Sequence, residues 1–419
     1  MARLGASMRK MKDSGIEWIG QIPSDWKCCK QKYLITLLNG RAYKDSEFEE
    51  DGKYKILRVG NLFTNPVWYS SSLELEPNKY CQDGDLLYSW SMSYAPVIWH
   101  GEKVIYHYHI WKTVLSEKIS KMFAYYYLIS LTNALQAEIH ETTMGFITMG
   151  VMNNAYIAFP PLAEQQKIAD FLDEKCGEID SIRSDVQREI DILNDYKKSV
   201  ITEAVTKGLD PKVKLKDSGI KWVGKIPEHW LVEKGKYLLR YLQKPVKSDD
   251  GVITCFRDGE VTLRSNRRED GFTMADKEIG YQGIDAGDLV VHGMDGFAGA
   301  IGISDSRGKA SPVLNVLDSK QNKRYLMYYL RSMAHSNVFV AIATGIRVRS
   351  CDLRWNKLAE LLYPVPPIDE QNKIVNHIDS TLIQTDGIIA DKQRQLETLD
   401  EYKKSLIFEY VTGKKEVPT

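Results

Sequence analysis

Basic side chains gather at two places in the second half of the chain. Arg257-Asp258-Gly259 is followed by Arg264, Asn266, Arg267 and Arg268, and later by Thr344, Gly345, Arg347, Arg349 and Arg354. In the first half the comparable residues are more dispersed: Arg41, Arg58, Asn61, Lys103 and His109. These residue types can do recognisable chemistry on a polyanion. Lysine and arginine neutralise phosphate, whereas arginine, asparagine, glutamine and histidine on loops read the edges of bases. The same clusters also suit a solvated surface, and composition alone does not separate the two.

Other chemistry is thinner. His107-Tyr108-His109 places two histidines on one strand face, but no third ligand accompanies them, so packing or surface is the plainer account. None of the six cysteines forms a Cys-x-x-Cys, and no Cys/His set has zinc spacing. They read as free thiols in a reducing cytosol, which sets a cytoplasmic expectation. Trp68, Trp90 and Trp99 could stack on a base, with core packing the default. The acidic residues Asp173, Glu174, Glu178 and Asp180 read as a solvated helix face, with partner contact the alternative. Gly293 to Gly302 has no following Gly-Lys-Ser/Thr, so it reads as turns rather than a phosphate loop. An Asn-Pro-Pro-Tyr or Asp-Pro-Pro-Tyr motif, a nuclease Pro-Asp…Glu-x-Lys set and a Walker A sequence are all missing. The expectation is a chain that is not an enzyme by itself and holds neither metal nor cofactor.

The elements that must position these residues are written twice. Pro160 to Lys207 returns as Pro366 to Gly413 at a constant shift of 206, with 21 of 48 positions identical. Both copies open on two prolines, continue through Glu164-Gln165 or Glu370-Gln371, and close on Tyr-Lys-Lys-Ser. Proline is tolerated in a first helical turn and stops what precedes it, and neither copy contains another. The shared apolar positions Ile168/Ile374, Leu172/Ile378, Ile182/Ile388, Ile190/Leu396, Leu193/Leu399 and Val200/Leu406 have helical spacing. In the first copy Leu172, Ile179, Val186, Leu193 and Val200 form a heptad seam, which Thr385 and Lys392 interrupt in the second. A lone helix of this length cannot bury such a stripe, but two in one chain can bury theirs as a coiled coil.

A second repeat, an opening motif, precedes each body and its helix. Lys12 to Trp26 reads KDSGIEWIGQIPSDW and Lys216 to Trp230 reads KDSGIKWVGKIPEHW, ten of 15 positions identical. Between opening motif and helix lie bodies 27–158 and 231–363, mixed α/β in pattern and without a gapless match. Both nevertheless carry Gly-Asp-Leu ahead of an apolar run, at Gly84-Asp85-Leu86 and Gly287-Asp288-Leu289. One fold with two different surfaces is expected, arranged about a pseudo-two-fold with antiparallel helices. Net charge is zero, which excludes an all-basic surface but not local basic patches. No apolar run approaches a membrane span. Met1 to Lys12 lacks the apolar core of a signal peptide and reads as a leader or an upstream start, with Met8 or Met11 as alternatives.

The duplicated PPLAEQQKIADFLD and PPIDEQNKIVNHID helices, the Gly-Ile-x-Trp-x-Gly-x-Ile-Pro-x-x-Trp opening motifs and the two unlike bodies resemble a type I restriction–modification specificity subunit. The resemblance runs from about Lys12 to Gly413. It implies target recognition domains at 12–158 and 211–363, with conserved helices at 159–210 and 364–415. It also implies a non-catalytic reader of a split, asymmetric DNA sequence. That reader docks two adenine-methylating modification subunits, which hold S-adenosylmethionine, and restriction subunits beyond them. In such proteins a Thr-Gly plus basic loop before the Pro-Pro helix lies near DNA. Thr344-Gly345-Ile346-Arg347 resembles that loop, whereas Thr142 to Thr148 lacks its arginine. A coiled-coil scaffold that binds no DNA, and an enzyme with an unrecognised site, are the competing readings.

Overall fold

The computed structural model describes residues 9–91, 93–141, 147–267, 279–342 and 353–418. Contacts divide the chain into two compact units, one running to Val186 and resuming at Arg394, the other Gln187–Gln393.

In the first unit the opening motif is a hairpin of β1 (Met11–Asp13) and β2 (Gln21–Pro23). Its turn is fixed by side chains: Gly15 N donates to Asp13 Oδ1 and Ile16 N to Ser14 Oγ. The body begins with β3 (Lys27–Lys30) and continues through β4 (Ile35–Asn39), β5 (Tyr54–Leu57), the short helix α1 (Val59–Phe63) and β6 (Tyr69–Ser71). There follow β7 (Tyr80–Cys81), β8 (Leu86–Ser89), β9 (Ala95–Ile98), β10 (Val104–Tyr106) and β11 (Ile110–Leu115). Helices α2 (Lys121–Glu141) and α3 (Met149–Asn154) lead to β12 (Tyr156–Phe159), which pairs back on β3 and closes the body. One sheet has the order β4-β11-β8-β9, the other β6-β5-β10-β7. The prolines then stop β12, and α4 (Leu162–Lys207) begins.

The second unit repeats the plan. Its opening hairpin is β13 (Leu215–Asp217) with β14 (Lys225–Pro227), in the register of the first. Its body runs from β15 (Leu231–Lys234) through α5 (Gly235–Leu238), β16 (Leu239–Tyr241), β17 (Ile253–Cys255), β18 (Val261–Leu263) and β19 (Gln282–Ile284). Next come β20 (Leu289–His292), β21 (Ile301–Ile303), β22 (Gly308–Ala310) and β23 (Leu314–Ser319). Helices α6 (Lys323–His335), α7 (Val338–Ala341) and α8 (Trp355–Leu358) precede β24 (Leu362–Val365), which pairs on β15. Then α9 (Ile368–Val411) begins.

The sheet β16-β23-β20-β21 has the order of β4-β11-β8-β9. Even the Gly-Asp-Leu turn is reused. Asp85 Oδ2 accepts from Gln82 N and Lys112 Nζ; Asp288 Oδ2 accepts from Asp285 N and Lys244 Nζ. The bodies therefore share a framework that their sequences do not align. The frame is set by strand order and apolar alternation, which many residue choices satisfy.

Each helix start is stapled to its body by the repeated Glu-Gln. Gln165, fully buried, accepts from Ser120 N and donates to the Lys118 and Pro160 carbonyls. Gln371 accepts from Asn322 N and donates to Gln321 Oε1 and the Pro366 carbonyl. The preceding glutamates accept the indole N–H of the tryptophans that end the opening motifs, Trp26 to Glu164 and Trp230 to Glu370.

The two long helices run antiparallel. In the first unit Asp180 pairs with Lys403 and Arg183 with Asp400; in the second, Glu189 pairs with Lys392 and Lys197 with Asp386. As one residue number rises, its partner's falls.

The expected seam is only partly kept. Leu172, Ile179 and Val186 are buried, but Leu193 and Val200 are half-buried, and burial passes to Ile190, Ile201 and Val205. A straight helix at 3.6 residues per turn drifts about 20° per heptad from a strict seven-residue repeat. Thr385 does not interrupt the seam, because it is buried with its hydroxyl donated to the Thr381 carbonyl. Ile182 and Ile388, expected in the shared stripe, are 49% and 48% exposed. The acidic face is not simply solvated either: Asp173 accepts from Tyr126 Oη and Asp180 pairs with Lys403, while Lys175 pairs with both Glu174 and Glu178.

Candidate nucleic-acid interface

Both bodies present their unusual side chains at the same end of the shared sheet. In the first, Ser89 closes β8 and pairs with Ile110, which opens β11. In the second, His292 closes β20 and pairs with Leu314, which opens β23. The frame is common and the chemistry is not.

In the second body this end is an open cleft of about 580 Å³ whose lining includes Arg257, Arg264, Arg267, Asp258, His292 and Asp295. Three sequence candidates are thus brought together. Arg257 donates to Asp295 at 2.9 Å. Arg267 pairs with Asp258 at 2.6 Å and Glu260 at 3.1 Å, its guanidinium carbon 4.2 Å from the centre of the Phe256 ring. Arg264 donates to Thr254 Oγ1 at 3.3 Å. Asn266, one residue from Arg267, donates to Thr262 Oγ1, which helps to hold the short turn Arg264–Asn266.

Arg354 caps α8, and its side chain approaches Gly293 at the end of β20, where Leu353 N donates to the Gly293 carbonyl. His292 is held below its usual range by burial, with Arg257 adding to the shift and Asp295 opposing it. It is therefore a neutral imidazole whose Nδ1 accepts from the amides of Met294 and Asp295. Burial pushes the Asp258 carboxyl up, and the Arg267 guanidinium more than offsets that, leaving it below the usual carboxylate range. His292, Thr254 and Asp295 were not singled out from sequence, since an isolated polar residue at a strand end carries no periodic signal. Arg268, Thr344, Gly345, Arg347 and Arg349 lie outside the described residues, as do Thr142 to Phe146.

In the first body the corresponding end is aromatic. Arg41 and Arg58 flank the turn His107–His109: Tyr108 N donates to the Arg41 carbonyl and His107 N to the Leu57 carbonyl. The Arg58 guanidinium lies 5.2 Å from the Tyr69 ring centre. Trp90 stacks on Trp111 and meets the His109 ring edge-on at 5.1 Å. Its indole N–H donates to the Tyr108 carbonyl, and the half-buried ring packs against the core of the first unit. Trp68 and Trp99, also half-buried, pack against each other. Burial lowers His107 to about 4, and His109 and Arg58 add to the shift; His109 is lowered by burial and Arg58. Both rings are thus neutral near pH 7. Among the described residues no cluster suits a metal ion.

Two first-body candidates separate from this group. Lys103 lies at the opposite end of β10, its ammonium 4.3 Å from the Tyr80 ring centre. Asn61 has its side chain committed locally, accepting from Arg58 N and donating to the Asn65 and Val67 carbonyls. Arg41 is tied to Glu47 at 2.5 Å.

Residues 23–190 match the model of the type I restriction modification DNA specificity domain. Similarity to curated specificity subunits extends over almost the whole chain. The chain is similar to type I restriction–modification specificity subunits. It is 22% identical to the EcoBI specificity subunit of Escherichia coli, over 97% of this chain and 90% of that protein. It is 24% identical to the MjaVIII specificity subunit of Methanocaldococcus jannaschii, over 94% of each. Its fold is similar, with a TM-score of 0.64 at 13% identity, to a chain solved in work on complex assembly and conformational transition of the type I R-M system. That likeness covers 94% of this chain and 99% of the solved chain. Among the described residues no helix is long and apolar enough to cross a membrane.

Proposed function

We propose that this chain is a specificity subunit that reads a bipartite, asymmetric DNA target, one half-site with each body, and contributes no catalysis of its own. One observation carries the reading: equivalent sheet ends, reached by the same strands in the same order, display an aromatic and histidine surface in one body and an arginine-lined cleft in the other. A reader of two different half-sites needs this combination of constant frame and variable tip. The residues we assign to DNA are Arg41, Arg58 and His109 in the first body, with Lys103 as a more distant phosphate contact. In the second they are Arg257, Arg264, Asn266, Arg267 and Arg354, together with the sequence candidates Arg268, Thr344, Arg347 and Arg349. Asn61 serves by holding Arg58 in place. Helix length sets the gap between half-sites, and two modules that must land together multiply their selectivity.

Partner docking has a candidate surface. The ion-pair register sets Ile182 level with Tyr402 in the first unit and Ile388 level with Tyr196 in the second. All four side chains are about half exposed. A duplicated apolar pair on a duplicated helix suits two copies of one partner, the modification subunit, which holds S-adenosylmethionine; restriction subunits join that complex.

Exchanging residues 231–363 for the matching body of another family member tests the reading. Methylation-sensitive sequencing of DNA from cells carrying the exchanged chain with its modification partner should show one half-site replaced and the other kept. An unchanged target rejects the assignment. The zero net charge favours the alternative, a scaffold that binds no DNA; duplex binding that weakens steeply with salt decides against it.

A further inference from the structure

The arginines of the second-body cleft are held in a manner that phosphate binding does not require. Arg257 is tied to Asp295. Arg267 is gripped by Asp258 and Glu260 and laid against the face of Phe256. Each guanidinium therefore has its charge balanced or over-balanced by its own neighbours. A phosphate clamp works by net positive charge, and a carboxylate beside it weakens the clamp. What the carboxylates provide is direction. A guanidinium held along part of its edge by acids, and against a ring, keeps one plane and turns the rest of its five-donor fork one way. Fixed direction is what reading a base edge needs, because guanine offers two acceptors, O6 and N7, side by side in the major groove.

Resting on the DNA-reading function above, we propose that the second body recognises guanine, with Arg257 and Arg267 as the reading side chains and Asp295, Asp258 and Glu260 as their positioning residues. The carboxylates add a second discrimination. They accept from the amino group of cytosine, and they repel the acceptors of a purine placed where the cytosine belongs. At the first-body tip Arg41 is tied to Glu47 and lies 5.3 Å from the Tyr43 ring centre, among aromatic rings and neutral histidines. No described arginine there is gripped by two acids and a ring as Arg267 is, so guanine reading is assigned to the second half-site.

The experiment uses the full chain with its modification subunits and duplexes carrying the target that methylation-sensitive sequencing identifies. Each guanine is replaced in turn by 7-deazaguanine, which keeps O6 and the pairing face but lacks the N7 acceptor. At least one such replacement, confined to one half-site, should weaken wild-type binding about tenfold or more. Arg267→Ala or Arg257→Ala should abolish that difference, costing about ten- to a hundredfold in preference for the cognate guanine. The slope of binding against salt should stay unchanged.

Asp295→Asn and Asp258→Asn, which retain the shape of the cleft, should raise binding to unrelated duplex while lowering preference for the cognate one. A half-site without guanine, or indifference to every 7-deazaguanine, overturns the proposal. So does an alanine variant that weakens all duplexes equally and lowers the salt slope by about one, which is the signature of a phosphate contact. Wild-type complex that shows no sequence selectivity at all refutes the DNA-reading function itself, and is seen before any substitution is made.

Discussion

The indole N–H of Trp230 donates to Oε1 of Glu370 at 3.1 Å. The opening hairpin of the second body is thereby locked to the first turn of the helix that follows that body, 140 residues later in the chain. His229 bonds the other carboxylate oxygen at 2.8 Å. In the first unit Trp26 and Arg9 engage Glu164 in the same way. This joint explains why opening motif and helix start are repeated together while the bodies between them differ. The surfaces of the bodies can vary only if the seam that closes each body does not.

The buried glutamine beside that joint gives a stability prediction. Gln371→Ala removes the partners of Asn322 N, Gln321 Oε1 and the Pro366 carbonyl in a buried place. The cost should be on the order of 3 kcal/mol, the penalty of orphaned buried polar groups plus a small cavity. Urea unfolding of the variant should show it, and Gln165→Ala should behave alike in the first unit.

The glycines that end the long helices should differ in tolerance. Gly208 and Gly413 have φ of +74° and +70°, where an L side chain is strained by roughly 1 kcal/mol. A Cβ on Gly413 would lie 2.4 Å from Pro23 Cδ, whereas on Gly208 its nearest neighbour is a Glu370 carboxylate oxygen at 3.1 Å. Gly413→Ala should therefore lower the melting temperature more than Gly208→Ala.

The exposed isoleucines bear on assembly rather than stability. Ile182→Lys and Ile388→Lys should leave the fold unaffected, within about 0.5 kcal/mol, because each side chain is half in solvent. Each should cost the complex one bound modification subunit and the pair both, read by native mass spectrometry. Full occupancy in the double variant would exclude this face as the docking site.

Acid should destabilise the chain through its hindered histidines. Burial holds His107 and His335 near 4, against an ordinary 6.5. The unfolded chain takes up these protons more readily, so stability is full above the ordinary value and lost as the pH falls from about 6.5 toward 4, levelling below. Urea midpoints at pH 7 and pH 5 should differ in that direction. His335→Gln should flatten the profile by removing one of the protons taken up on unfolding.

Sequence alone determined the architecture. Two opening motifs and two helices repeat at nearly fixed shifts, and the proline pairs, the Glu-Gln step and the closing Tyr-Lys-Lys-Ser all fall where the structure uses them. Local chemistry explains this, since helix starts, turns and apolar stripes are set by neighbours in the chain. The long-range outcomes were decided only by folding. Thr385 looked like a break in the seam, yet the helix hides it by returning its hydroxyl to its own backbone. Ile182 and Ile388 looked like core, yet the 3.6-residue turn carries them outward. Arg257, Arg264 and Arg267 were visible as basic residues, but the cleft they share is completed by His292 and Asp295, and the acid that holds Arg257 is Asp295, contributed by a different strand and loop. Which residues meet across a sheet is a property of strand order, and no spacing along the chain records it.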